Sequence, residues 1–199
     1  MTQVFLGLAP VNALTTGWCV LRTGDSQEIS ALMSGVGTSI NTTLAAADEH
    51  LSETPNAVGI AAPLYWTTKD DREADRIVRG MVLSLGGKSA SVPALPALPG
   101  AKIIGGIILA SKAHQRWATS PLTEAAPEAL LSMDSGAKNF IESTSVNSEA
   151  EKQAVLAAYT ALAGHEQRQG WHDLRRFDND IFAPGAGMEA AFWFPGRAC

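Results

Sequence analysis

Cysteine is almost missing from this chain: there are two in 199 residues, Cys19 inside an apolar run and Cys199 at the last position, with no C-x-x-C pair. That argues against a disulfide framework and for a reducing compartment, and the expected location is cytoplasmic. Charge is sparse as well, at 18% of residues, with 15 basic against 20 acidic side chains and a net charge of −5. A basic excess is what usually drives non-specific phosphate binding, and the only basic clustering is the weak group Arg168, Arg175 and Arg176. A nucleic acid or nucleotide partner stays open, but composition does not favour it. No targeting segment is evident: Met1-Thr2-Gln3 lacks a basic region, and Val4-Phe5-Leu6 is too short for a signal-peptide core. Long apolar runs are also lacking. The nearest, Ile103 to Ala110, is broken by Gly105-Gly106, so a soluble chain with no membrane partner is expected. There is no internal repeat.

The chain does have apolar residues in quantity, 46% of the total. Its length suits a single domain over 1–199 with a small C-terminal extension over about 178–199. A chain of this size buries roughly 70% of its unfolded surface, so it needs no metal or disulfide staple. Val4 to Leu8 reads as a buried strand, Trp18 to Arg22 as a second with Trp18 and Val20 on one face, and Glu28 to Met33 as a third. Gly24-Asp25 punctuates the second strand, and Gly35-Val36-Gly37 reads as a glycine turn. Ile40, Leu44, Ala47 and Leu51 have helical spacing over Ser39 to Leu51, with Asn41 or Thr42 as the cap.

Ala57 to Pro63 reads as a core strand, and Asp70 to Val82 as a helix with the stripe Ala74, Ile77, Val78 and Met81. Pro93, Pro96 and Pro99 make Ser91 to Gly100 a loop or polyproline stretch. Lys102 to Ser111 leans helical, Leu122 to Ala125 is a short strand, and Pro127 to Met133 is a helix opened by its proline. Ser148 to His165 is the clearest helix, capped by Ser148, with Val155, Leu156, Tyr159 and Leu162 along one side. Phe192-Trp193-Phe194 reads as an aromatic strand, and its edge suits a homo-oligomer contact. The predicted class is α/β: a mixed five-stranded sheet flanked by helices.

Several chemical motifs are incomplete. Leu85-Gly86-Gly87-Lys88-Ser89 resembles the end of a phosphate-binding loop, but Val82 stands where its first glycine is needed. There is no G-x-S-x-G elbow and no H-E-x-x-H pattern. His165 and His172, seven apart, would share a face only on one unbroken helix, and Gly170 intervenes. Of five tryptophans, Trp66 after Pro63 is the best candidate for a functional aromatic, while Trp18 and Trp193 read as core.

Local motifs do add up in order along the chain. They are Gly7-Leu8-Ala9 then Gly17-Trp18, Gly59-Ile60-Ala61-Ala62-Pro63, Asp71-Arg72-Glu73-Ala74 with Arg76, and Ser91-Val92-Pro93-Ala94-Leu95-Pro96. Then come Glu124-Ala125-Ala126-Pro127, Gln153 to Ala161, and Glu189 to Pro195. With these seven motifs, spread over nearly the whole chain, the protein resembles a family of predicted RNase H-like nucleases, domain of unknown function 429. The resemblance implies an RNase H-like fold and phosphodiester hydrolysis by two divalent cations held on carboxylates. The family's acid positions fall here on Ala9, Ala61 and Gln153, none of which supplies a charged oxygen. A glutamine at the third position favours natural loss over engineered inactivation.

The expectation is therefore a catalytically inactive pseudo-nuclease with a retained cleft and no cofactor. Two alternatives stay open. One is a residual nuclease or phosphohydrolase using magnesium or manganese on Glu124 and Glu149, the latter four residues before Gln153 and on its helix face. The other is a non-catalytic partner-binding domain. Asp71, Arg72 and Trp66 are the candidate substrate contacts.

Overall fold

The computed structural model describes residues 2–12, 14–24, 28–69, 71–183 and 189–196, the side chain of Pro96 excepted. Met1, Asp25, Asp70, Cys199 and part of the expected C-terminal extension lie outside these. Three strands, β1 (Gln3–Asn12), β2 (Thr15–Thr23) and β3 (Ile29–Gly37), form an antiparallel meander. After helix α1 (Ile40–Glu49), strand β4 (Ala57–Ile60) returns parallel to β1. Helices α2 (Glu73–Ser84) and α3 (Gly100–Arg116) lead to β5 (Leu122–Glu124), parallel to β4. Helices α4 (Pro127–Met133), α5 (Ser135–Ser143) and α6 (Glu149–His165) follow, then β6 (Trp171–Asp173), β7 (Ala190–Ala191) and β8 (Trp193–Pro195). The protein is mixed α/β, with sheet order β3-β2-β1-β4-β5-β7 and a separate β6-β8 ribbon. Among the described residues no helix is long and apolar enough to cross a membrane.

The main sheet thus has six strands where the sequence predicts five. The extra strand is β7, which lies just before the expected Phe192-Trp193-Phe194 strand. Ala190–Ala191 joins β5, and Trp193–Pro195 joins β6. Phe192 is the break, because its backbone is drawn away: its N–H donates to the Asp173 carboxylate at 2.8 Å and its carbonyl accepts from Leu174 N–H at 2.8 Å. The Phe192 and Phe194 rings are fully buried and belong to the core.

The sheet is covered on both faces. On one side α1 and α3 pack over Leu6, Leu8, Val20 and Ile60; on the other, α6 crosses β2, β1 and β4. That crossing is very close. A Cβ at Gly17, Gly7 or Gly59 would collide with the Ala150, Ala154 or Ala157 carbonyl. Glycine on the sheet facing alanine on the helix is what lets the two backbones approach. As a result every residue of α6 from Gln153 through Gly164 is buried, not only the one stripe its leucines suggest. Each of its buried Val155, Leu156 and Leu162 side chains contributes about 1.5–3 kcal/mol.

Two turn readings also change. Gly35 and Gly37 are strand residues: Gly35 lies against the Trp18 indole and Gly37 against Thr43, spaces a side chain would fill. The α1 cap is Ser39, whose Oγ accepts from Thr42 N–H at 3.2 Å while Thr42 Oγ1 accepts from Ser39 N–H at 3.0 Å. The proline segment contains short 3-10 turns at Ser89–Ser91 and Leu95–Ala97, and the Lys102 region is helical as expected. The phosphate-loop-like stretch follows helix α2 instead of a strand, and His172 lies on β6, off the helix that ends at His165.

Candidate functional site

Parallel strands end together at one edge of the sheet, and that edge carries a cavity of about 370 Å³. In open α/β sheets ligands bind beyond the carboxyl ends of the strands. Here Leu8, Ile60 and Glu124 are register partners on β1, β4 and β5. The chain beyond them stays paired for one more step: Ala61 N–H donates to Leu8 O and Ala125 N–H to Ile60 O, both at 2.8 Å. Ala61, Glu124 and Gln153 line the cavity. Ala9 is fully buried in the same core layer, paired across β1–β2 with Gly17, which touches α6 at Ala150. Ala9, Ala61 and the first turns of α6 therefore meet at one end of the sheet.

Arg72 occupies the wall between α2 and β5, almost wholly buried at 1% exposure. Its Nε and one Nη2 hydrogen donate to Asp75 at 2.8 and 2.7 Å. Nη1 donates to Glu124 Oε2 at 2.8 Å and to the Tyr65 carbonyl at 3.2 Å, and Nη2 donates again to Glu124 Oε1 at 2.6 Å. A guanidinium has five N–H donors, and all five are engaged. The guanidinium also lies over the Tyr65 ring at 4.4 Å and the Phe192 ring at 5.5 Å. Glu124 is equally occupied, since Oε2 accepts a further bond from Leu64 N–H at 2.9 Å.

The electrostatics follow from one base facing two acids in a dry place. Burial opposes the charge on Arg72, but Glu124 and Asp75 outweigh it and hold the guanidinium ionised, well above its ordinary value. Burial pushes the Glu124 carboxyl up, and the Asp75 charge adds to this against the opposing pull of Arg72. Burial also raises the Tyr65 phenol. That hydroxyl donates to Asp178 at 2.9 Å, and Asp178 accepts from the Glu73 and Ala74 N–H groups at 2.6 and 3.3 Å. A carboxylate from a distant segment thus caps α2, whose own N-cap position, Arg72, has its side chain committed elsewhere.

The opposite wall is built by α3 and α6. Gln153, 7% exposed, donates from Nε2 to Glu149 Oε1 at 3.3 Å. A carboxylate only accepts, so this bond fixes the amide's orientation and leaves Oε1, which has no partner among the described residues. Lys102 of α3 lines the same cavity. Burial lowers the pKa of its ammonium, against the attraction of Glu128, Glu149 and Glu124. Among the described residues it makes no hydrogen bond or ion pair.

The expected site residues are thus only partly gathered. Glu124 and Arg72 line the cavity and bind each other. Glu149 does share a helix face with Gln153, but its side chain is 57% exposed, bonds Gln153 and Lys152, and lies off the cavity wall. Asp71 faces away, paired with Arg79 at 2.7 Å, and this hydrogen bond lowers its carboxyl below the ordinary range. Trp66 is half-buried and bridges to Phe182 through mutual backbone bonds of 2.7 and 2.8 Å, again off the wall. Among the described residues no three His, Cys, Asp or Glu side chains cluster as a metal-binding group.

Asp75 and Lys102 escape the sequence reading. Arg72-x-x-Asp75 at helical i,i+3 spacing is a usable signal, as is a lone lysine in the otherwise apolar start of α3. Comparison with known proteins finds no matching family model, no matching curated protein and no matching solved structure.

Proposed function

We propose that this protein is a non-catalytic, RNase H-like binding protein, a pseudo-nuclease whose strand-end cleft persists as a ligand pocket. The strand order supports the RNase H-like reading: an antiparallel meander followed by parallel strands added on the far side of β1. The observation that carries the functional reading is the state of Glu124. Both of its oxygens are taken by Arg72, and one also by Leu64 N–H. Hard divalent cations need anionic oxygens that are free to ligate. Ala9 and Ala61 offer none, Gln153 offers a neutral one, and Glu124 directs its charge to a guanidinium. A cytoplasmic location belongs to the same proposal; the buried free thiol of Cys19 suits a reducing compartment.

Calorimetric titration with magnesium and with manganese tests the reading. The expected result is no binding at sub-millimolar metal. Changing Ala9→Asp, Ala61→Asp and Gln153→Asp together should introduce metal affinity. A wild-type protein that binds manganese and cleaves phosphodiesters, losing both with Glu124→Gln, would overturn the proposal. So would a folded triple variant with no metal affinity, because the three positions would then not converge on one site.

A further inference from the structure

Among the described residues one lysine lines the strand-end cavity. Lys102 lies in the first turn of α3 and is half-buried, whereas Lys69, Lys88 and Lys138 are exposed. Among the described residues its ammonium makes no hydrogen bond or ion pair, but Glu128 of α4, Glu149 of α6 and Glu124 of β5 attract it. Glu128 and Glu124 line the cavity as well, which puts the ammonium on the cavity side of α3. The other charged lining groups, Arg72 and Asp75, are bound to each other, and Arg72 also to Glu124. Burial outweighs the acids and lowers the Lys102 pKa, so a larger share of its amine is unprotonated, and nucleophilic, near neutrality. Val11, Val92, Leu95 and Leu98 add apolar surface to the same lining.

We propose that the pocket holds a small neutral aldehyde with an apolar body, tethered as a reversible Schiff base on Lys102. The proposal rests on the binding-protein reading and names its ligand class. The Lys102 nitrogen attacks the carbonyl carbon and the C=O π pair moves to oxygen, giving a carbinolamine. The nitrogen lone pair then expels that oxygen, which leaves as water with the two protons the ammonium has shed. No oxidant or reductant is needed. The iminium keeps the positive charge of the ammonium, so Glu128, Glu149 and Glu124 attract the product as they attract the free side chain. An aldehyde carrying its own carboxylate would bring a further negative charge beside these acids, which is why the neutral class is favoured.

The test incubates the full chain with butanal and cyanoborohydride, which reduces an iminium to a stable secondary amine, and ranks the lysines by peptide mass mapping. Two buried methylenes are worth about tenfold in binding, so butanal should label Lys102 about tenfold faster than the exposed Lys69, Lys88 and Lys138. Acetaldehyde, two methylenes shorter, should lose most of that preference. Glyoxylate, an anionic aldehyde, should show none, and urea should abolish the preference for butanal. Lys102→Arg keeps the cation without a condensing amine, and should lose the fast adduct while the other lysines keep their rates. Lys102→Met gives the same reading where arginine does not fit. Labelling of Lys102 that is no faster than that of the exposed lysines, that keeps its preference in urea, or that is faster with glyoxylate than with butanal overturns the proposal. Magnesium titration of the same sample separates the two levels. Metal binding at this edge defeats the pseudo-nuclease reading itself, whereas uniform lysine labelling without metal binding defeats only the ligand class.

Discussion

Across one cavity, two walls carry charge under opposite conditions, one buried and one half-buried. On the α2–β5 side, Arg72 meets two carboxylates, a carbonyl and two aromatic rings, with every donor placed. On the α3–α6 side, Lys102 and Gln153 each retain an unused polar group. The first arrangement is costly to disturb and has little left to offer a ligand. The second has a half-buried ammonium at Lys102 and a Gln153 carbonyl oxygen left unpaired among the described residues. One wall therefore fixes the shape of the pocket through paired charge, and the other does not.

The strongest way to break the contrast is to remove Arg72. Arg72→Met keeps the bulk of the stem but leaves Asp75 and Glu124 as facing, uncompensated acids. Taking one partner from a buried ion cluster costs about 3–5 kcal/mol, so urea unfolding should show a loss of that size. A loss under about 1 kcal/mol would mean that the wall is far wetter than its 1% exposure implies. Next in size is Glu124→Gln. Its single carbonyl oxygen cannot accept all three bonds that Arg72 and Leu64 give the carboxylate, and its amide hydrogens face other donors. The expected cost is about 1–3 kcal/mol, the penalty for buried donors left unpaired.

These side chains also mark where sequence reasoning succeeds and where it stops. Most strands and helices are legible because period and punctuation act locally; helix α5 and strand β6 are not among them. Pro127 opens α4 and Ser148 caps α6, each at its expected place. The meander, the β4 return and the helical Lys102 segment follow from the same local signals. What the sequence hides depends on partners far along the chain. Phe192 leaves its strand because Asp173 and Leu174 claim its backbone. Gly35 and Gly37 look like a turn because the residues packed on them, Trp18 and Thr43, are not their neighbours in sequence. Glu124 is visible as a strand-end acid and Arg72 as a helix-start base, but 52 positions separate them, and no spacing rule reveals that each uses up the other.

The α3–α6 wall should respond in the opposite direction. Lys102 has a folded-state pKa lowered by burial, so the unfolded chain binds its proton more readily. Stability therefore rises with pH through the window between that lowered value and the ordinary lysine range, and the full cost of the buried charge is present below it. Lys102→Met removes that cost and should stabilise the protein at neutral pH by about 0.5–1 kcal/mol. The gain should shrink as pH climbs through the window. A destabilised variant would show that Glu128, Glu149 and Glu124 hold the ammonium more firmly than burial opposes it, and the two walls would then be alike.

The smallest effect belongs to a pair that sharpens the comparison from outside the cavity. Asp71 and Arg79 form an ion pair at 2.7 Å, with side chains 29% and 22% exposed. It is the same chemistry as Arg72 with Glu124, placed where water reaches it. The Arg79 hydrogen bond lowers the Asp71 carboxyl, so this pair's contribution is fully present above the ordinary aspartate range and is lost as pH falls through the folded-state value. Asp71→Asn should cost about 0.5 kcal/mol near neutrality, less in high salt, and nothing once the carboxyl is protonated in the native protein. If it cost as much as Arg72→Met, burial would not be what separates the two ion pairs. The rigidity assigned to the α2–β5 wall would then have to come from its aromatic packing on Tyr65 and Phe192, not from its saturated hydrogen bonds.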